Sequence, residues 1–538
     1  MHKKNFLLIV MSVFGWVSTI FAQDNPGADS RLEIIYAERL VGGKGFERLL
    51  ENVVMKHQNS LIYSDSVHFY GQENLAKLFG NVRIEDQQDS VTTYSTYGEY
   101  DGNNQLAKLR NQVVFKNKET TLYTDFLDYN RESGEANYFN SGRVVDSTNV
   151  LTSEKGLYET VTDRITFTES VVLENPDYIL KSNVLVYNTL SKIAETEGIT
   201  NIESKEGNKL NARKGTHYNT EGKIFKFYDG DVETENSLVS AEILYYDESQ
   251  QYYEATENVS VYNKERNVEI FGEEGKYWEE LKYSKVYGNA LVRKYFEADT
   301  LFMIADTLIS QDSEDAASRY LQAFSNMRMI KSDISGRSDS MVYIYSDSTI
   351  YLHGDPVLWN NKSQITADSI SFLIANEDID RAFLKDNAFA ITKDTLSNYN
   401  QIRGRKMTGY FLDGQMSKLD VEGNGESLYF ALENDTTIRG VNKLLCGRII
   451  MSFREGQVSS ISHTIKPEAS FTPPHLLEEG ATSLSGFVWR EDERPTLKMI
   501  NDWRTPKERP KDEFNFFNEP EVDIPYPDEE EIRKRIEY

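Results

Sequence analysis

The chain has little cysteine, little proline and a deficit of basic residues. Of its 538 residues only Cys446 is a cysteine, and 12 are prolines. One cysteine excludes an internal disulfide, and we expect Cys446 to be a small buried apolar residue. Basic residues number 59 against 86 acidic ones, for a formal net charge of −27. Nucleic acid is therefore not expected as a partner, because an acidic surface repels a polyanion.

The sequence also lacks the patterns that mark a reaction centre. Its seven histidines are scattered, and none falls into HExxH or another spacing typical of metal ligands. No nucleophile and base stand out as a pair, although such groups can lie far apart in the sequence of a β protein. We expect no enzyme activity, no cofactor and no metal.

Long apolar runs are absent after the first 22 residues. There, Lys3 and Lys4 precede an apolar run from Phe6 to Ala22, which gives way to polar residues. This layout predicts a signal peptide over residues 1–22, and hence an exported, periplasmic protein, for which association with the outer membrane stays open. The alternative is a membrane anchor, but the run contains Gly15 and two serines and is short for a bilayer.

Aromatic residues, in contrast, are abundant at 12% and recur with a period. Periods of 20 to 50 residues are typical of repeat architectures. Copies aligned on one aromatic fall 28 to 31 residues apart up to residue 277 and less regularly afterwards. The aligned aromatics are Phe69, Tyr100, Tyr129, Tyr158, Tyr187, Tyr218, Tyr246, Tyr277, Tyr343, Phe372 and Tyr410.

Each repeat has the pattern of a β-hairpin. The stretch TLYTDFLDYN, residues 121–130, places Leu122 seven residues and Leu127 two residues before Tyr129, on one face of a strand. Asn130 follows and predicts a turn, because Asn and Asp bond their own backbone. Gly-Asn or lone Asn residues, as in LAKLFGNVRI, each predict a bend between two strands.

An aspartate also recurs in the repeat, four residues before the aromatic. Its copies are Asp65, Asp125, Asp339 and Asp368. Recurrence at a repeat position indicates a structural role at a strand edge rather than catalysis.

These patterns predict an all-β fold, an elongated repetitive antiparallel β-jellyroll or β-solenoid. A signal peptide (1–22) is followed by a first β-repeat array (23–309), and a second array covers 329–465. Between them, residues 310–328 form a helical insertion or hinge, with a short helix over 310–324 capped by Asp312 or Ser313. Residues 466–538 are expected to form an irregular acidic C-terminal tail.

The repeat resembles the OstA family, which comprises the periplasmic lipopolysaccharide-transport proteins LptA and LptC and the N-terminal domain of LptD. The resemblance rests on copies such as Thr124-Asp125-Phe126-Leu127-Asp128-Tyr129-Asn130 and on bends such as Gly80-Asn81-Val82. It covers about residues 32–460 and is greatest to the large OstA-like proteins of Bacteroidetes-type bacteria. The chain is about three times longer than LptA, and no barrel like the one that follows the N-terminal domain of LptD is expected in it.

The resemblance implies a V-shaped β-jellyroll whose apolar groove holds the acyl chains of lipid A. The candidate lining residues are Val82, Val113, Leu122, Leu127, Val172, Leu180, Leu185, Val232, Leu244 and Val259. For each of them, packing in a closed core is the alternative.

The expected partners are lipopolysaccharide and LptC-like and LptD-like components that pair with edge strands, and end-to-end association with further copies of the chain stays open. The candidate edges are residues 31–40 and the stretch from Ile449 to Phe453. Two other functions stay open from the sequence, a β-helix that binds or acts on polysaccharide and a passive scaffold.

Overall fold

The computed structural model confirms the all-β, repetitive antiparallel fold. It describes residues 31–505, apart from residues 88–89, 147–148, 298, 361, 377, 413–414, 435, 455–456 and 479. The predicted signal peptide, residues 1–22, lies outside the described residues, as does the end of the predicted tail, residues 506–538.

Strands are labelled in chain order. The first are β1 Glu33–Tyr36, β2 Arg39–Gly42, β3 Glu47–His57, β4 Ser60–Tyr70, β5 Leu75–Asp86, β6 Val91–Asp101, β7 Leu106–Asn117, β8 Thr120–Asn130, β9 Glu135–Asp146, β10 Asn149–Glu159, β11 Arg164–Glu174, β12 Tyr178–Asn188, β13 Ile193–Ser204, β14 Lys209–Ala212, β15 Thr216–Asn219, β16 Ile224–Glu233, β17 Ser237–Asp247, β18 Tyr252–Asn263, β19 Val268–Trp278, β20 Tyr283–Tyr295 and β21 Thr300–Gln311.

The later strands are β22 Tyr320–Phe324, β23 Arg328–Ile330, β24 Ile334–Arg337, β25 Ser340–Ile344, β26 Thr349–His353, β27 Val357–Asn360, β28 Ser363–Thr366, β29 Ser369–Ala375, β30 Asp378–Lys393, β31 Tyr399–Leu412, β32 Gln415–Glu433, β33 Thr437–Arg454, β34 Gln457–Thr464 and β35 Glu468–Thr472. The helix α1 spans Leu497–Trp503, and 3-10 turns lie at Ala316–Ser318, Pro474–Leu476 and Glu491–Glu493.

The chain divides into two compact units. The first consists of residues 1–144 and 157–161, and the second of residues 145–156 and 162–538. In the first unit, every strand from β3 to β8 pairs antiparallel with the next. In the second, the same holds from β11 to β13 and from β16 to β21. Each unit is therefore a succession of hairpins.

A corner in the middle of the strand shapes each long hairpin. The register between β7 and β8 shifts between Arg110 and Val113. The two residues in between, Asn111 and Gln112, have φ angles of 62° and 52°. Such a left-handed pair is a β-bulge that bends the strand. Leu109 and Val113, on either side of the corner, are both buried, so the two halves of the strand face one core.

Corners of this kind coincide with the predicted Asn and Gly-Asn bends. In β5, Gly80 and Asn81 have φ angles of 73° and 40°, and the pair Gly288 and Asn289 in β20 has 80° and 52°. Gly and Asn are the residues that adopt this region at the lowest cost. The bends are thus confirmed, but each lies inside one strand rather than between two.

Recurrent aspartates accept hydrogen bonds from residues of these corners, in agreement with the structural role predicted for them. The Asn81 side-chain amide donates to Asp65 at 3.1 Å, and the Asn387 amide donates to Asp368 at 2.9 Å. Asp125 accepts from the backbone N–H of Gln112 at 2.8 Å.

The Asn and Asp residues after the aromatics close the turns, again as predicted. Asn130 accepts from the backbone N–H groups of Glu132 and Ser133, at 2.9 and 3.1 Å. Asn188, Asn219 and Asp247 make the equivalent bonds in the second unit.

The corner divides each long strand into two arms. We call the half that carries the repeated aromatic the aromatic arm, and the half that carries the aliphatic residue seven positions earlier the aliphatic arm. In the first unit the inward residues of both arms are buried, except that Phe69 on β4 is half-buried. Cross-strand neighbours on the aliphatic arm are Met55, Ile62, Ile84, Thr93, Phe115 and Leu122, and each is at most 4% exposed.

Two predictions need correction beyond residue 309. The helix expected over 310–324 is only a 3-10 turn, Ala316–Ser318, and Asp315 caps it rather than Asp312 or Ser313. The sheet continues directly after this turn, since β22 pairs with both β21 and β25.

The tail also differs from its prediction. Strand structure continues to Thr472, and residues beyond it, up to 505, pack against the second unit. Cys446 is buried, as expected. Within the described ranges, none of the helices has the length and apolar character needed to cross a bilayer.

Truncation of an inward leucine should destabilise the first unit strongly. Leu109→Ala removes a fully buried side chain and should lower the free energy of unfolding by about 2–5 kcal/mol. Leu40→Ala, at a position 58% exposed in the same unit, should change it by less than about 0.5 kcal/mol. Denaturant titration of both variants tests this, and equal losses would show that the inward face is not the core.

Candidate functional site

In the first unit, polar bonds join the outer ends of the two arms. Tyr100, on the aromatic arm, bonds His57 at the end of the opposite arm, with 2.9 Å between the hydroxyl and Nδ1. Burial raises the pKa of Tyr100 to about 12, so it stays neutral at physiological pH. Beside it, the Arg131 guanidinium forms an ion pair with the buried Asp86 carboxylate. These contacts close the core between the outer ends of the two arms, a place that we call the mouth.

The start of the second unit is closed in a similar way. Tyr187 donates to the buried Asp146 carboxylate at 2.6 Å, and Lys192 pairs with the same oxygen at 2.8 Å. Further along, Tyr178 reaches the ring of Tyr218 from the other arm, with 5.6 Å between centroids.

We call the row of inward cross-strand neighbours along one arm a ladder. Beyond Tyr218 the aliphatic ladder of the second unit becomes partly exposed. A continuous set of cross-strand neighbours runs from Val232 through β17 to β21. Its members, all half-buried, are Val232, Val239, Val261, Ile270, Val292 and Met303. The matching residues of the first unit are buried, so at this stretch the aliphatic arm is accessible from the mouth.

The aromatic arm opens over the same strands. Phe225, Tyr246, Tyr253 and Tyr277 are successive cross-strand neighbours. Tyr246 and Tyr253 stack with centroids 4.3 Å apart, and Tyr253 and Tyr277 are 37% and 38% exposed. The Tyr253 hydroxyl donates to Glu279 in an end turn. Burial raises the pKa of Tyr246, Tyr253 and Tyr277, so these three side chains are neutral at neutral pH.

Small residues line the floor between the arms, next to the corners. Ala255, Ala290 and Ala305 are buried there, together with Gly275. A Cβ on Gly275 would lie 3.2 Å from Val259. We call the space between the two partly exposed ladders, over residues 225–303, the cleft. Its walls are aliphatic on one side and aromatic on the other, which suits an apolar ligand rather than a metal or a polar cofactor.

The predicted lining residues fall into three groups. Val82, Val113, Leu122, Leu127, Leu180 and Leu185 are buried in the closed stretches, each at most 1% exposed. Val172 points to the outer face of β11, because its neighbours Val171 and Leu173 are the buried ones. Val232 lies on the aliphatic wall of the cleft, and Leu244 and Val259 lie in its floor.

The aromatic wall was missed, although the sequence contains a signal for it. In the closed stretches an alanine, such as Ala76, Ala107 or Ala194, separates successive aromatics of the ladder. Phe225 and Tyr253 replace that alanine in the cleft, so aromatic rings meet directly. The change from LAKL to IFKF and YYEA can be read in the sequence.

The ends of the strand succession provide a second candidate surface. β1 and β2 both pair with the same strand, β3, and all eight of their residues are exposed, including Ile35 and Leu40. The predicted C-terminal edge, Ile449 to Phe453, is wrong. That stretch lies in β33, which β34 and β35 cover, so the terminal strands are those two.

The described part of the chain holds no cluster of His, Cys, Asp or Glu that could bind a metal ion. Residues 42–183 match the family model described as OstA-like protein. This segment is similar to OstA-like proteins. The sequence resemblance is thereby confirmed over that segment, which covers most of the first unit and the beginning of the second.

Among solved structures, this chain is similar to the crystal structure of LptH from Pseudomonas aeruginosa. That protein is described as the LptA homologous periplasmic component of the conserved lipopolysaccharide transport device. The identity is 12%, the likeness covers 21% of this chain and 85% of LptH, and the TM-score is 0.20, so no structural argument rests on it. No curated protein matches the chain.

Open and closed stretches should differ in chemical accessibility. Ile270 in the cleft and Leu122 in the first unit occupy the same repeat position, and Cys446→Ser removes the native thiol. We expect a cysteine at position 270 to react with a maleimide at least about tenfold faster than one at position 122, because the latter must wait for local opening. Equal rates would contradict the difference between the two stretches.

Proposed function

We propose that this protein is a periplasmic lipopolysaccharide-transport protein that holds lipid A acyl chains in the cleft. The observation that carries the proposal is the opening of two uncharged apolar ladders over residues 225–303 of an OstA-like chain. In the first unit the same positions fill a closed core. The protein is proposed to act by binding and transfer, without catalysis.

The cleft fits acyl chains better than the saccharide of a glycolipid. Its walls expose methyl, methylene and ring surfaces and no charged group of their own. Each methylene group of a chain that leaves water for such a wall contributes about 0.8 kcal/mol. The phosphates and sugars would stay in solvent, which agrees with a protein of net charge −27 that binds an anionic lipid by its tails.

The lining predicted from sequence is therefore revised in this proposal. Val232, Leu244 and Val259 stay, joined by Val239, Val261, Ile270, Val292 and Met303 and by the aromatic wall. The six residues buried in closed stretches would contact lipid only if the mouth opened there. Opening would have to break the ion pairs of Asp86 and Asp146, which is costly for buried charges.

The terminal strands support the second half of the proposal, a bridge between the inner and outer membranes. An exposed strand such as β1 can accept a strand from a partner, through backbone hydrogen bonds that require no particular sequence. LptC-like and LptD-like components, or another copy of this chain, would add at β1–β2 and at β34–β35. Assembly of the outer membrane is the proposed outcome.

Photo-crosslinking at one strand separates transport from a scaffold role. A photoreactive residue at Val261 faces the cleft, whereas the adjacent Tyr262 faces away from it on the same strand. We expect lipopolysaccharide adducts in cells from position 261 and few or none from position 262. Ile270→Asp should reduce the adducts at position 261, because a carboxylate in the apolar wall is costly to desolvate.

Other results would contradict the proposal. Adducts with protein only, or equal lipid adducts from positions 261 and 262, would favour a scaffold. Unchanged surface lipopolysaccharide after depletion of the protein would argue against transport as well.

A further inference from the structure

Residues 480–505 form a segment beyond β35 that we call the strap. Its backbone is hydrogen-bonded to the strands of the second unit. Gln401 and Gln364 are buried, at 0% and 1% exposure. Gln401 donates to the Thr482 carbonyl at 3.0 Å and accepts from the Leu484 N–H at 2.8 Å. Gln364 makes the same pair of bonds to Val488 and Arg490, at 2.8 and 2.7 Å. Each glutamine side chain thus makes two hydrogen bonds to the strap backbone, one donated and one accepted, as a neighbouring strand would.

The strap ends behind the cleft, on the outer face of its aliphatic arm. Helix α1 buries Ile500 against Phe271, Leu291 and Ile304, with Trp503 beside it. These three residues alternate with the inward ladder, because Phe271 follows Ile270 and Leu291 precedes Val292 in the strands. The aliphatic wall of the cleft therefore has the strap directly on its other side.

Arg504, the residue after α1, is tied to a corner of the cleft. Its side chain is 6% exposed and pairs with Glu273 at 2.5 Å. It also donates to the carbonyl oxygens of Gly288 and Asn289, at 2.8 and 2.7 Å. Gly288 and Asn289 are the left-handed residues at the corner of β20, where the ladder register with β21 shifts. Because of this shift, the carbonyl oxygens of Gly288 and Asn289 lie outside the regular pairing between β20 and β21.

A hydroxyl group from the preceding strand serves this purpose at other corners. Ser64 donates to Gly80, and Thr124 donates to Ser141 at 2.8 Å. Ser182 in the second unit is placed in the same way towards Ile199. At the corner of β20 the equivalent position is Gly272, which pairs with Val259 as Thr124 pairs with Val113.

Gly272 has no hydroxyl to donate. A Cβ there would lie 2.4 Å from Val286, so a serine does not fit without movement of that wall. The corner is instead bonded from outside, by Arg504.

We propose that residues 497–504 brace the cleft, with Arg504 as the positioning residue that sets the angle between its two arms. The brace fixes the corner of β20 through two carbonyls and supports the aliphatic wall through Ile500 and Trp503, whose indole N–H donates to Ala290 at 3.2 Å. An arm of bent sheet that lacks the hydroxyl cap would otherwise be free to change its angle. The inference takes the cleft as the functional site, and its test requires no lipid.

The test measures the distance between the ends of the two arms. Glu265 lies in the turn at the end of the aliphatic arm and Glu280 in a turn at the end of the aromatic arm, and both are exposed. Glu265→Cys and Glu280→Cys, in full-length protein with Cys446→Ser, provide sites for spin labels. Double electron–electron resonance then measures the distance between the two labels, and hence between the ends of the two arms. We expect Arg504→Ala to broaden or shift the distance distribution, and Arg504→Lys to do so less, because lysine cannot bond both carbonyls and Glu273 in the same geometry.

Arg490→Ala is the matched control. Arg490 is a half-buried arginine of the strap, with bonds to Asp355 and Glu493 instead of the cleft corner. We expect its distance distribution to match that of the parent, with circular dichroism showing that all variants keep their strands. An unchanged distribution in Arg504→Ala, or the same change in Arg490→Ala, would overturn the brace. Either result would leave lipid binding by the cleft to be judged by its own crosslinks.

Discussion

A left-handed bulge at the centre of alternate long strands is the constraint on which the rest of the structure depends. It bends the strand without reversing its inward face, so that one strand supplies both arms around a single core. Because cross-strand neighbours must stay in register, the corner of one strand fixes the place of the corner in the next. The ladders of Met55 to Leu122 in the first unit and of Val232 to Met303 in the second follow from this repetition.

Whether the two arms close is decided by a few residues at the mouth and at the corners. Alanine between aromatics leaves room for Tyr100 and Tyr187 to reach partners on the opposite arm. Aromatic residues in place of alanine stack with their neighbours along the arm instead. The hydroxyl caps are also replaced, by Ala241, Gly272 and Ala305 in the cleft strands. One repeat can therefore build a closed core and an open cleft.

Much of the fold could be predicted from the sequence because its signals are local. Asn130 bonds its own turn, Asp65 bonds the nearest corner, and the period of the aromatics reflects the length of a hairpin. The open cleft could not be predicted from residue type alone, since Leu122 and Ile270 occupy the same repeat position and differ only in what lies across from them. The strap was missed for the same reason. Gln364 and Gln401 contact residues more than 80 positions away, and the composition of residues 473–505 indicates irregular structure, not where it docks.

The measurement that tests the central claim most directly compares intact and deacylated lipopolysaccharide as ligands of the purified protein. Isothermal titration calorimetry should detect binding of the intact glycolipid and none of the deacylated saccharide, because the cleft is proposed to bind only the acyl chains. Equal affinity for both forms would contradict the account, since the saccharide and its phosphates would then carry the recognition.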